Sequence, residues 1–124
     1  MKVLIIEDDK FLRDLLAQKL GHEGFQVTQA VDGEEGLKLA LEEAPDLILL
    51  DLILPRIDGF DILERIKKDQ KLKALPVLVL SNLGQKEDVA RAMSLGAEDF
   101  LIKSNFTLGE VIGRIKNILK KKYI

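Results

Sequence analysis

Two periodicities alternate along this chain, and that alternation restricts the fold more than any other feature. Val3-Leu4-Ile5-Ile6, Leu47-Ile48-Leu49-Leu50 and Val77-Leu78-Val79-Leu80 are short continuous apolar runs, and Phe25 to Ala30 and Phe100-Leu101-Ile102 are weaker ones. Runs this short, rich in β-branched residues, suit strands buried on both faces of a parallel sheet. Helical spacing fills the intervals. Phe11, Leu12, Leu15, Leu16 and Leu20 predict a first helix, ended by Gly21 or Gly24. Leu37, Leu39, Ala40 and Leu41 predict a second, begun near Asp32-Gly33 and stopped before Pro45. Phe60, Ile62, Leu63 and Ile66 mark a third, Val89, Ala92 and Met93 a fourth, and Val111, Ile112, Ile115, Ile118 and Leu119 a fifth. A βα unit repeated five times predicts an α/β fold, a parallel sheet with right-handed crossovers and helices on both faces.

Composition agrees with one globular unit. The 124 residues are 47% hydrophobic, enough for one core and too many for disorder. We expect a single domain over residues 1–124, with no linker or internal repeat. There is no cysteine, which excludes a disulfide scaffold and a thiolate metal site. The opening run from Val3 to Ile6 is too short for a signal peptide or a membrane span, so no membrane role and a cytoplasmic location are expected. Net charge is −2 and the sequence pI about 5.5, which gives no general attraction to nucleic acid. Lys120, Lys121 and Lys122 are read as cations at the negative end of a helix dipole.

In open α/β sheets the ligand site lies beyond the carboxyl ends of the strands. Just past those ends come Glu7, Asp8 and Asp9, then Asp51, Ser81 and Lys103. Clustered acids are hard to ionise together, and a divalent cation relieves them. Mg²⁺ takes hard oxygen ligands, uses one or two carboxylates and keeps waters and a phosphate oxygen. Glu7, Asp8 and Asp51 suit that role, Lys103 adds a point charge, and Ser81 can donate to a phosphate oxygen. The set describes phosphoryl transfer by positioning and charge neutralisation, with a carboxylate able to form an aspartyl-phosphate. Taken singly, each residue has an ordinary role. Asp9 reads as a helix N-cap rather than a ligand.

The motifs VLIIEDD, DLILPRIDGF with Pro55 four after Asp51 and then Asp58-Gly59, VLVLSN, and GAEDFLIK resemble those of response-regulator receiver domains of the CheY-like superfamily. The resemblance covers essentially the whole chain. It implies a doubly wound five-stranded sheet of flavodoxin-like strand order 2-1-3-4-5. It implies a signalling switch rather than a turnover enzyme, one that catalyses its own phosphorylation and dephosphorylation. Asp51 would be the phospho-acceptor, Asp8 a direct Mg²⁺ ligand, Glu7 a ligand mostly through water, and the Ile53 carbonyl would complete the metal site. Ser81 and Lys103 would hold phosphoryl oxygens, and Ser81 and Phe100 would be the switch residues. The phosphoryl group would come from a sensor histidine kinase or phosphotransfer protein. The output face would be the fourth helix, fifth strand and fifth helix, read by a downstream effector or by a phosphorylation-dependent homodimer in which Arg91, Asp99 and Arg114 pair between copies.

Three positions depart from the family pattern. Ser104 stands where a cis proline usually follows the lysine. A cis bond to Ser costs about 2.5–4 kcal/mol, so trans is expected, and the Ser104 to Thr107 loop needs another way to aim Lys103. Asn82 replaces a small residue, and Phe100 lacks a tyrosine hydroxyl. The resemblance would also put the apolar Ile53 and Leu83 beside the approach of water to the phosphoryl group, which implies slow dephosphorylation. Three rival readings are weaker. A degenerate interaction module would not need the intact Glu7, Asp8, Asp51, Ser81 and Lys103 set. A phosphohydrolase needs a second acid where Ile53 stands. A flavin or dinucleotide carrier needs glycines where the chain reads EDDKF.

Overall fold

Because successive strand side chains point to opposite faces, an apolar run of four or five residues can serve two cores at once. The computed structural model, which describes residues 1–123, shows this division. The strands are β1 (Lys2–Ile6), β2 (Gln26–Ala30), β3 (Leu47–Leu50), β4 (Val77–Ser81) and β5 (Asp99–Ile102). The helices are α1 (Lys10–His22), α2 (Gly33–Glu43), α3 (Gly59–Lys68), α4 (Lys86–Ser94) and α5 (Leu108–Tyr123). All strand pairs are parallel, in the order β2-β1-β3-β4-β5. Leu4, Ile6, Ile48, Leu50, Val77 and Val79 pack with Ile62, Leu63, Ile66 and Ala92 from α3 and α4. Val3, Ile5, Leu47, Leu49, Leu78, Leu80 and Leu101 pack on the other face with Leu16 and Leu20 of α1 and Val111, Ile112, Ile115 and Leu119 of α5. Each such side chain, fully buried, contributes about 1.5–3 kcal/mol.

Side chains fix the helix starts. Asp9 Oδ1 accepts from the Leu12 amide at 3.2 Å, the cap role expected for it. Asp32 and Asp58 cap α2 and α3 in the same way. Thr107 and Glu110 bond each other's amides reciprocally at the head of α5, a capping box. Ala44, in the left-handed region at φ 48°, ends α2 just before Pro45.

Three apolar residues of the helical patterns lie outside the core. Phe11 is 75% exposed, Leu41 49% and Met93 43%. In α1 the buried stripe runs through Arg13, Leu16 and Leu20. Phe11 is about 200° round the helix from Arg13 at about 100° per residue, and so faces away from the sheet. In α4 only Ala92 is buried, so that helix is the most lightly anchored of the five. Among the described residues no helix is long and apolar enough to cross a membrane.

Gly59 and Gly113 should respond oppositely to a methyl group. A Cβ at Gly59 would stand 2.3 Å from the Leu52 Cα and 2.6 Å from its carbonyl oxygen, backbone atoms that cannot yield. A Cβ at Gly113, inside α5, meets nothing within 4 Å. Urea denaturation should show Gly59→Ala destabilised by about 1–3 kcal/mol or more, and Gly113→Ala stabilised by roughly 0.5–1 kcal/mol.

Candidate functional site

The strand order decides which loop ends meet. β1 and β3 are neighbours with Ile6 opposite Leu50, so the next residues, Glu7 and Asp51, come side by side. The ladder continues one step beyond the strands, with the Asp51 amide donating to the Ile6 carbonyl at 3.0 Å. Glu7 and Asp51 are buried, whereas Asp8 turns out to solvent. One carboxylate oxygen from each of the three lies within 4.8 Å of the others.

Lys103 follows β5, two strands further along the sheet from β3. It opens a one-turn 3₁₀ segment, Lys103–Asn105. There is no cis peptide bond among the described residues, as expected for Ser104. The long lysine side chain spans the gap. Its Nζ lies 2.8 Å from Asp51 Oδ2 and 2.7 Å from Glu7 Oε1. The 3₁₀ turn occupies the place where the sequence required some other means of aiming this lysine.

Burial and charged neighbours together shift Glu7 and Lys103. Burial is the main cause that pushes the Glu7 carboxyl up to about 7, and the nearby Asp51 charge adds to it. Bonds from Lys103 and from the Asp9 amide pull the other way without cancelling it. Burial works to lower Lys103, but its hydrogen bonds to Asp51 and Glu7 outweigh it and hold the ammonium above its usual range.

The other sequence-derived residues surround this cluster. Ser81 is the last residue of β4 and fully buried, its Oγ accepting weakly from the Leu83 amide at 3.5 Å. Ser81 makes no hydrogen bond to the carboxylates or Lys103 here. The Ile53 amide donates to Asp51 Oδ1 at 3.1 Å, while its side chain is half exposed at the mouth. Asn82 is exposed. Leu83 and Phe100 are half buried against the core that carries α3 and α4.

Two arginines escaped the sequence reading. Arg13 is buried, donating from Nη1 to the Glu7 carbonyl at 2.8 Å and from Nε to Gln29 Oε1 at 3.2 Å. Its signal was available, since position 13 falls on the same helical stripe as Leu16 and Leu20. Arg56, in the loop after β3, sits at φ 66° and pairs with Asp32 at 3.2 Å. Nothing in the sequence pattern announces that backbone conformation for an arginine.

Known proteins resemble this chain in sequence and in fold. Residues 3–116 match the family model described as the response regulator receiver domain. Over 120 residues the chain is 41% identical to the DNA-binding dual master transcriptional regulator RpaA of Synechocystis, covering 97% of this chain and 49% of that protein. Over 123 residues it is 38% identical to the alkaline phosphatase synthesis transcriptional regulatory protein PhoP of Bacillus subtilis, covering 99% and 50%. The chain thus spans about half the length of these curated relatives. Among solved structures, the receiver domain of the Francisella response regulator 1452 superposes with a TM-score of 0.88 at 32% identity, covering 97% of each chain. A CheY-like receiver domain protein of Methanospirillum hungatei gives 0.90 at 26% identity, covering 98% of this chain and 94% of that one.

The Glu7 proton offers a direct check on the site. Because its folded value is raised from 4.5 to about 7, its contribution to stability is full below about pH 4.5 and is lost as pH rises through about 7. In metal-free protein the Glu7 carboxyl carbon should titrate near 7 by NMR. Lys103→Met should move that midpoint up, because the lysine bond favours the ionised form. A midpoint near 4.5 in the wild type would refute the desolvated site.

Proposed function

This chain belongs to the response-regulator receiver family, and from that premise we propose that it is a Mg²⁺-dependent phospho-acceptor whose acceptor is Asp51. The supporting observation is the cluster at the strand ends, in which Glu7, Asp8 and Asp51 share one small region and the Lys103 ammonium bridges two of them. The family supplies the kind of partner: a sensor histidine kinase or phosphotransfer protein as donor, and an effector that reads the result. A cytoplasmic location and action of residues 1–124 as one receiver unit belong to the same proposal.

The donor set fits the cation. Mg²⁺ takes hard oxygen ligands, and one carboxylate oxygen from each of Glu7, Asp8 and Asp51 lies within 4.8 Å of the others. Asp8 and Asp51 would ligate directly, Glu7 largely through water, and the Ile53 carbonyl would complete the set. Once bound, the ion neutralises charge on the carboxylates and on the incoming phosphoryl oxygens. An Asp51 oxygen attacks phosphorus in line as the bond to the donor imidazole nitrogen breaks, and that nitrogen leaves with its electron pair. Lys103 exchanges its Asp51 contact for a phosphoryl oxygen. Ser81, buried beside the site with only a weak bond to a backbone amide, donates its hydroxyl to another.

Output follows from what that serine movement pulls. A shift of Ser81 draws the loop through Leu83 and changes the packing open to Phe100, a bistable rearrangement set off by local charge. The light anchoring of α4 favours this face. Arg91 lies over the Phe60 ring at 4.2 Å, and Asp99 pairs with Arg114 within the chain. A homodimer built on these charges would have to exchange in-chain partners, so we assign the face first to an effector.

Two experiments test the reading. Acetyl phosphate with Mg²⁺ should add one phosphoryl group at Asp51. Asp51→Asn should abolish labelling, and omission of Mg²⁺ should do the same for the wild type; labelling of the Asn variant elsewhere would refute the assignment. The phosphorylated form should also be long-lived, because Ile53 and Leu83 are apolar where a water would have to be oriented. After donor removal, wild type should decay at least about tenfold more slowly than Ile53→Asn/Leu83→Glu, a difference requiring about 1.4 kcal/mol of barrier. Equal or faster wild-type decay would sink the water-exclusion idea.

A further inference from the structure

Four polar or charged side chains are buried among the described residues: Glu7, Asp51, Ser81 and Arg13. The first three belong to the proposed phosphoryl site, and Arg13 does not touch it. Its partners are two neutral oxygens, the Glu7 carbonyl and Gln29 Oε1, and no carboxylate pairs with it among the described residues. Burying a guanidinium against neutral acceptors carries a desolvation cost that an apolar side chain of similar length would avoid. Packing alone therefore gives no reason for an arginine here.

The Glu7 carbonyl gives one. It belongs to the peptide whose nitrogen is that of Asp8. On the other side of Glu7, its amide donates to the Ala30 carbonyl at 3.1 Å. The Glu7 side chain is committed as well, to Lys103 and to the Asp9 amide. Asp8 differs: it is exposed, and its carboxylate accepts no hydrogen bond from any described residue. Only the backbone can set the direction in which the Asp8 carboxylate points, and Arg13 grips the peptide that determines it. Gln29, from β2, steadies the guanidinium.

We propose that Arg13 is a positioning residue for the cation site, fixing the peptide between residues 7 and 8 through the Glu7 carbonyl and so aiming Asp8 at the ion it shares with Asp51. The inference rests on the metal reading above. Loss of such outer partners costs about 10–100-fold in metal affinity.

The test measures Mg²⁺ affinity by amide NMR titration, with a urea midpoint for each protein. Arg13→Met keeps the apolar stem and removes the donors. It should bind Mg²⁺ about 10–100-fold more weakly with a urea midpoint at or above that of the wild type. Arg13→Lys should recover part of the affinity, since its ammonium can still donate to the Glu7 carbonyl, and Gln29→Ala should lose less than Arg13→Met. Wild-type affinity in folded Arg13→Met overturns the inference. So does an affinity that falls only in step with stability and is not recovered by lysine. If Arg13→Met fails to fold, the other two variants decide, and wild-type affinity in both overturns it. A wild type that binds no Mg²⁺ sinks the metal reading and this inference with it, whereas an Mg²⁺-binding wild type matched by Arg13→Met sinks this one alone.

Discussion

Glu7, Asp8 and Asp51 repel one another, and the Lys103 ammonium is what allows two of them to sit buried together. Its contacts of 2.7 and 2.8 Å to Glu7 and Asp51 are short because they are charge-assisted. The compensation is incomplete. Burial still holds the Glu7 carboxyl up at about 7. A cation bound there would have to displace that proton, so its affinity would rise with pH.

The rest of the fold serves this balance. Parallel strands point all their carboxyl ends the same way, and the order β2-β1-β3-β4-β5 makes β1 and β3 neighbours. Glu7 and Asp51 then meet by register alone. Lys103 must cross from β5, a reach that suits the longest flexible cationic stem available. The helices that bury the two faces of the sheet hold those strand ends rigid, so the charges keep their spacing.

Rigidity is not spread evenly. The side that carries α1 is tied by Arg13 and by an ion pair from Glu23 to Lys116 of α5. On the opposite face, α4 buries only Ala92 and has no side-chain N-cap. Ser81 ends β4, and Phe100 packs against the same core as Ala92, the one buried residue of this lightly held helix.

The sequence by itself determined the layered α/β fold, because short continuous apolar runs separated by segments with a period near 3.6 admit little else. It also placed Asp51, Glu7, Asp8, Ser81 and Lys103 at strand ends, and it marked Asp9 as a cap from residue type and position. Local pattern carries all of these. Tertiary structure decided what pattern cannot carry. Phe11 reads as apolar but faces solvent, since the sheet beneath α1 meets the stripe of Arg13, Leu16 and Leu20 instead. Arg13 drew no reading in sequence, yet it is buried on the Glu7 carbonyl, a contact that exists only once α1 folds back over the end of β1. The ion pairs of Lys103 join residues 52 and 96 positions apart in the chain. Such energies depend on distance and burial, and both are properties of the folded molecule rather than of the order of its residues.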